Sequence, residues 1–195
     1  DNGSWVMINT DCIGATSSVP TNSVGVWIVS GGGVGLNSCG IIGYETGILH
    51  DLQAGTTVNF SVFGCGIENQ SANGIYLTNT LNLYTQRHIM LQNNEFGQYG
   101  QAQFGINIAT NGYEDISIIN NTFEGNLGIA QYGIYFQNSK NAIIYGNNFR
   151  LLDAGITISA AATDIFYGPN IYSDCNAHVN NSSATSGSYT SKMLD

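Results

Sequence analysis

The sequence predicts an all-β solenoid, a parallel β-helix of about seven rungs with no capping helix, and three observations predict it. One motif recurs: Gly133–Arg150 reads GIYFQNSKNAIIYGNNFR, and Phe104–Phe123 reads FGINIATNGYEDISIINNTF. Short apolar runs alternate with polar residues, as in Ile75-Tyr76-Leu77, Ile116-Ser117-Ile118 and Ile165-Phe166-Tyr167, which is the period of a strand. No 3.6-residue stripe long enough for a helix occurs, and Gly and Asn, with only 2 prolines, punctuate the runs.

Aligned on the residue after the Asn step, the repeats give a column Cys12, Cys39, Cys65, Phe96, Phe123, Phe149, Tyr172, in steps of 27, 26, 31, 27, 26 and 23 residues. Two positions earlier stand Thr10, Asn37, Phe63, Asn94, Asn121, Asn147 and Asn170. Another column holds Val26, Ile48, Ile75, Ile106, Ile134 and Ile156, usually after Gly. The long step is explained by a loop around Thr80–Gln86. Stacked copies lie about 4.8 Å apart, so seven rungs make a rod roughly 30 Å long. Residues 1–175 are assigned to this solenoid, as part of a longer chain, and 176–195 to a polar, linker-like extension.

Composition narrows the function. Charged residues are 9% of the chain, and 4 Lys and Arg stand against 13 Asp and Glu, a formal charge of −9. Nucleic-acid binders need a basic footprint, so that class is excluded, as is docking on anionic lipid. No apolar stretch reaches the length of a membrane-spanning helix.

Each column has a physical reading. Asn94, Asn121, Asn147 and Asn170 are expected to stack at one corner as a structural amide ladder, Asn being tolerant of left-handed backbone. Cys12, Cys39 and Cys65 fall in the Phe column, hence inside; neighbouring rungs bring them within disulfide range, but buried thiols are the preferred reading. Cys175 has no column mate, and the four cysteines lack metal-type spacing, so neither metal nor cofactor is expected. His50 falls in an inward column and reads as a core histidine.

Two outward columns carry function. Trp27, Leu49, Tyr76, Asn107, Tyr135 and Thr157 share one line; Trp27, Tyr76 and Tyr135 are candidates to stack on sugar rings, with Asn107 offering hydrogen bonds between them. Met90, Ile119, Ile143, Tyr145 and Phe166 point outward from the next sheet, an apolar patch that needs cover from another copy of the chain. The turn acids Glu45, Glu68, Glu124 and Asp153 are expected at one edge of the rod. Glu124 and Asp153, from neighbouring rungs, are the only candidate catalytic pair, since two carboxylates roughly 5–9.5 Å apart suit glycoside hydrolysis.

The repeat from Gly74 to Tyr172, and more loosely from Trp5 to Cys65, resembles the right-handed parallel β-helix superfamily, the pectin-lyase-like fold. That resemblance implies the fold and leaves the function open among lyases, hydrolases, epimerases, adhesins and phage tailspikes. The catalytic kits of its enzymes are incomplete: N-T-D occurs at Asn9-Thr10-Asp11 but without G-H-G or R-I-K, there is no D-P-H, and neither Arg87 nor Arg150 sits in a carboxylate cluster. A charge-poor β-helix with an apolar outer face is most similar to the shaft of a phage tailspike or tail fibre. The resemblance implies a virion tail location, a homotrimer, other tail proteins as partners and host surface polysaccharide as ligand. A polysaccharide-degrading enzyme and a secreted or cell-surface adhesin are the alternatives.

Overall fold

A computed structural model describes residues 5–15, 18–29, 33–51, 59–81, 85–97, 103–126 and 129–188. Each rung contributes one short strand to each of three sheets, which hold eight, seven and seven strands among the described residues. Sheet A runs from Trp5–Ile8 to Gly187–Ser188, sheet B from Asp11–Ile13 to Ile171–Ser173, and sheet C from Val24–Ile28 to Ala177–Asn181. Strands pair in parallel with their copies one rung on, and no helix occurs among the described residues. The all-β parallel solenoid is therefore the observed architecture.

Alternation sends fixed lanes of side chains into the tube. Sheet C contributes the lane Val26, Ile48, Ile75, Ile106, Ile134, Ile156, and sheet A contributes Leu36, Val62, Leu91, Ile118, Ile144. All of these are buried, each contributing roughly 1.5–3 kcal/mol of transfer free energy. In sheet B the rings of Phe96, Phe123, Phe149 and Tyr172 stack at centroid separations of 4.6, 4.9 and 5.2 Å. This stack explains the Gly-Ile repeat. A Cβ on Gly133 would lie 2.6 Å from both the Phe149 ring and the carbonyl of Gly155, and Gly105 meets Phe123 and Gly133 in the same way. Only glycine lets the rungs close around the rings.

The corner from sheet A to sheet B turns through one left-handed residue on six rungs: Asn9, Ser38, Gly64, Asn93, Asn120 and Gly146 have φ between 50° and 69°, whereas Pro169 precedes Asn170 on the next. The left-handed turn thus falls one residue before the ladder Asn and not on it. The ladder itself forms as expected. Asn94 donates its backbone N–H and its Nδ2 to Asn121 Oδ1, Asn121 does the same to Asn147, and Asn147 to Asn170, at 2.8–3.1 Å.

The cysteine column needs correcting by two residues. Phe96 pairs with Ile67, Ile67 with Ile41, and Ile41 with Cys12, so Cys39 and Cys65 are not in the ring column. They extend the Asn ladder instead. Cys65 N–H donates to Asn94 Oδ1 at 2.9 Å, and Cys39 N–H to Cys65 Sγ at 3.4 Å. Thr10 shares that corner column, its carbonyl taking the N–H of Gly40 as Cys39 takes that of Gly66, whereas Asn37 and Phe63 end sheet A strands. All four cysteines are free thiols, and burial pushes Cys65 up to about 11, leaving it protonated and inert.

The expected boundary at 175 also shifts. Ala177–Asn181 pairs with Ala154–Ile158 in sheet C, and Gly187–Ser188 with Thr163–Tyr167 in sheet A. The polar stretch continues the coil because its Ala177 and Val179 keep the strand period, and hydroxyls replace apolar contacts at its end: Ser186 Oγ accepts from the N–H of Ile165. Residues 189–195 of the expected extension lie outside the described residues.

Candidate functional site

Sheet C presents the aromatic line that the columns predict. Trp27 pairs in register with Leu49, Leu49 with Tyr76, Tyr76 with Asn107, Asn107 with Tyr135 and Tyr135 with Thr157. Trp27 is 57% exposed, while Tyr76 and Tyr135 are half-buried. Asn107 departs from its expected role. It is buried, its Nδ2 donates to Asn73 Oδ1 at 3.1 Å, and its Oδ1 accepts from Gln137 Nε2 at 3.0 Å. The amide braces neighbouring rungs and does not offer itself to a ligand between the tyrosines.

Two further rings join this face. Phe104 stacks on Tyr132 at 5.5 Å and on Tyr135 at 5.3 Å, with ring planes 20° and 15° apart, and Tyr132 lies 6.4 Å from Tyr135. The three rings, with Thr157 and Asn180, line a hollow of about 300 Å³. Strict alternation would put Phe104 inside with Ile106 and Ile108. The intervening Gly105, pressed against Phe123, breaks that alternation and leaves the ring outside. The signal in the sequence was the aromatic residue directly before Gly105 and again before Gly133.

Sheet A carries the apolar patch. Met90, Ser117, Ile143 and Phe166 form one lane in register, and Phe63, Gln92, Ile119 and Tyr145 form the next. Met90, Ile143 and Tyr145 are exposed, with Phe63, Val6 and Ile8 on the same face; Ile119 and Phe166 are half-buried. A groove of about 690 Å³ follows the first lane, bordered by the polar residues Asn59, His88, Asp115 and Asn141.

The turn acids do not converge. Glu68 and Glu124 share an outer lane of sheet B, whereas Asp153 lies beyond the next corner, where its backbone N–H reaches Gln131. Glu124 pairs with Arg150 at 3.2 Å, and Asp153 accepts from Asn176 Nδ2 at 2.7 Å. Each acid thus has a different partner. Cations are equally committed: Arg87 and Lys140 both pair with Glu114, at 3.4 and 2.8 Å, and Lys192 lies outside the described residues. Among the described residues, no group of three or more potential ligands could hold a metal.

His50 is inside, as its column predicts. Tyr113 Oη donates toward the carbonyls of His50 and Thr78, both at 2.7 Å, so its contact of 2.8 Å with His50 Nδ1 requires the ring proton there. Nε2 is then an unpartnered acceptor in the core, and burial lowers the His50 pKa to about 4. A neutral, enclosed imidazole is a packing element here.

No curated protein and no solved structure matches the chain. Residues 46–193, well over half of the sequence, match the family model described as a right handed beta helix region. With three parallel sheets, in-register pairing and a stack of four rings already in view, that match fixes the identity: the chain belongs to the right-handed β-helix family.

Proposed function

We propose that this chain is the β-helix of a virion tail protein, a tailspike or tail fibre, which holds host surface polysaccharide against sheet C. The observation that carries the reading is the outer face of sheet C, where Trp27, Tyr76, Tyr135, Phe104 and Tyr132 gather five aromatic side chains on one side of the rod. Aromatic faces are electron-rich, and the C–H faces of sugar rings are electron-poor and apolar, so the two stack. Tyr76 and Tyr135 are two rungs apart, about 10 Å at the interstrand spacing, an interval close to two sugar units. A neutral glycan suits the face, because a formal charge of −9 repels a polyanion.

Sheet A supports the assembly in this reading. Its exposed Met90, Ile143 and Tyr145, with Ile119 and Phe166 beside them, would be covered by two further copies in a homotrimer of parallel rods, joined to other tail proteins. Binding without cleavage is favoured over depolymerisation, because Glu124 and Asp153 are each tied to another residue and lie on different sides of a corner.

The test is adsorption. The double variant Tyr76→Ala/Tyr135→Ala should sediment as a trimer, as the parent does, yet lose at least tenfold in attachment to polysaccharide-bearing host cells. Unchanged attachment would remove sheet C from the account. Release of oligosaccharides by this chain, abolished in Glu124→Gln, would favour the enzyme instead.

A further inference from the structure

The tyrosines of sheet C are not equivalent, and the difference lies in what stands on the next rung. Tyr135 has Phe104 parallel to it at 5.3 Å, which covers one ring face. On its other side the residue in register is Thr157, and the one after that is Asn180. A column that runs Tyr, Asn, Tyr thus steps down abruptly to Thr. Rungs are about 4.8 Å apart, so a missing ring leaves a gap about one ring thick. The hollow of about 300 Å³ sits at that step, with Tyr132 as a side wall and Asn180 at the far end. Its volume is at the small end of the range for small-molecule sites.

The lining sets the chemistry of an occupant. None of the five lining residues is charged. A carboxylate or sulfate entering the hollow would lose water and gain no counter-charge, which is costly. The described Arg and Lys side chains are all held by Glu114 or Glu124. Asn180 is exposed and can both donate and accept. Thr157 Oγ1 is screened from water and therefore from an occupant as well, which leaves Asn180 as the polar side chain at this end that can reach ring-edge hydroxyls. An occupant therefore needs one apolar ring face, hydroxyls at the ring edge and no charge.

We propose that this hollow is a subsite for a single uncharged pyranose ring, seated on the outer face of Tyr135 as the next member of the Phe104–Tyr135 stack. Its edge hydroxyls are read by Asn180, while Thr157 leaves the space that the ring fills. The subsite rests on the polysaccharide reading and locates it at one end of the sheet C face, beyond Tyr76. It makes the hollow the place where sugar identity is chosen, whereas Trp27 and Tyr76 supply sequence-tolerant stacking along the rod.

The experiment is saturation-transfer NMR and calorimetry on the intact protein with maltohexaose, cellohexaose, mannohexaose, chitohexaose and hexagalacturonate. Three variants accompany the parent: Thr157→Trp, which fills the gap with a strand-favouring residue; Asn180→Ala, at an exposed position that folding does not need; and Trp27→Ala. At least one neutral hexaose is expected to bind, with Thr157→Trp and Asn180→Ala each weakening it at least tenfold and hexagalacturonate giving no signal. Neutral binding that both hollow variants leave intact and Trp27→Ala reduces would overturn the subsite and leave the polysaccharide reading standing. A preference for hexagalacturonate would overturn the uncharged-ring assignment. Absence of binding to every member would overturn the subsite and the polysaccharide reading together. Should Thr157→Trp alter the circular dichroism, Asn180→Ala decides the matter alone.

Discussion

Asn121 uses the whole hydrogen-bonding capacity of its side chain: Nδ2 donates to Leu91 O and Asn147 Oδ1, and Oδ1 accepts twice from Asn94. Because it is buried, Asn121→Ala leaves several of these groups without partner or water. At about 1–3 kcal/mol for each unsatisfied group, a loss of about 3 kcal/mol or more is expected, read as a lower urea midpoint at unchanged slope. His50 gives a second expectation at this scale. Its folded pKa is lowered from 6.5 to about 4, first by burial, with Asp51 opposing. Between those values the unfolded chain binds a proton that the folded chain refuses, so the contribution of His50 is full above pH 6.5 and lost as pH falls to about 4. The span corresponds to on the order of 3 kcal/mol. His50→Gln should flatten that part of the stability–pH curve; an unchanged slope would mean that the imidazole charges without opening the core.

Elements depend on the register that these residues impose. Gly133 lies where a Cβ would stand 2.6 Å from a carbonyl and from the Phe149 ring, so Gly133→Ala must separate two rungs and should cost about 3 kcal/mol. Gly35→Ala is the control: its nearest neighbour would be Ser61 Oγ at 3.3 Å on the outer face, and its thermal midpoint should barely move. Equal losses in the two variants would contradict the ring-against-glycine account. Register also explains what could be read from sequence. The ladder from Asn94 to Asn170 and the lane from Trp27 to Thr157 were legible because each rung repeats the same residue types at the same step. Cys39 and Cys65 were misplaced because the early rungs have neither Asn nor Phe at those positions. There the corner N–H needs only an acceptor, which a thiol sulfur provides. Phe104 and Tyr132 were missed because glycine interrupts the alternation that assigns faces, and the only trace of that break in the chain is an aromatic residue directly before each glycine. Which acids share a lane was equally hidden, since corner lengths decide whether Glu124 and Asp153 meet.

At the scale of the whole molecule, the three sheets divide the labour: sheet B holds the ring stack, sheet A an apolar outer face and sheet C an aromatic one. In the proposed tail protein, sheet A turns toward sister chains and sheet C toward the host. Hydroxyl-radical footprinting of the assembled protein, with and without saturating host polysaccharide, examines both faces at once through oxidisable side chains. Polysaccharide should protect Trp27, Tyr76, Phe104, Tyr132 and Tyr135, while Met90, Ile143 and Tyr145 stay unreactive in both states because sister chains already cover them. Bound polysaccharide that leaves the sheet C rings as reactive as before, or that protects Met90 and Ile143 instead, would contradict the claim that sheet C is the binding face.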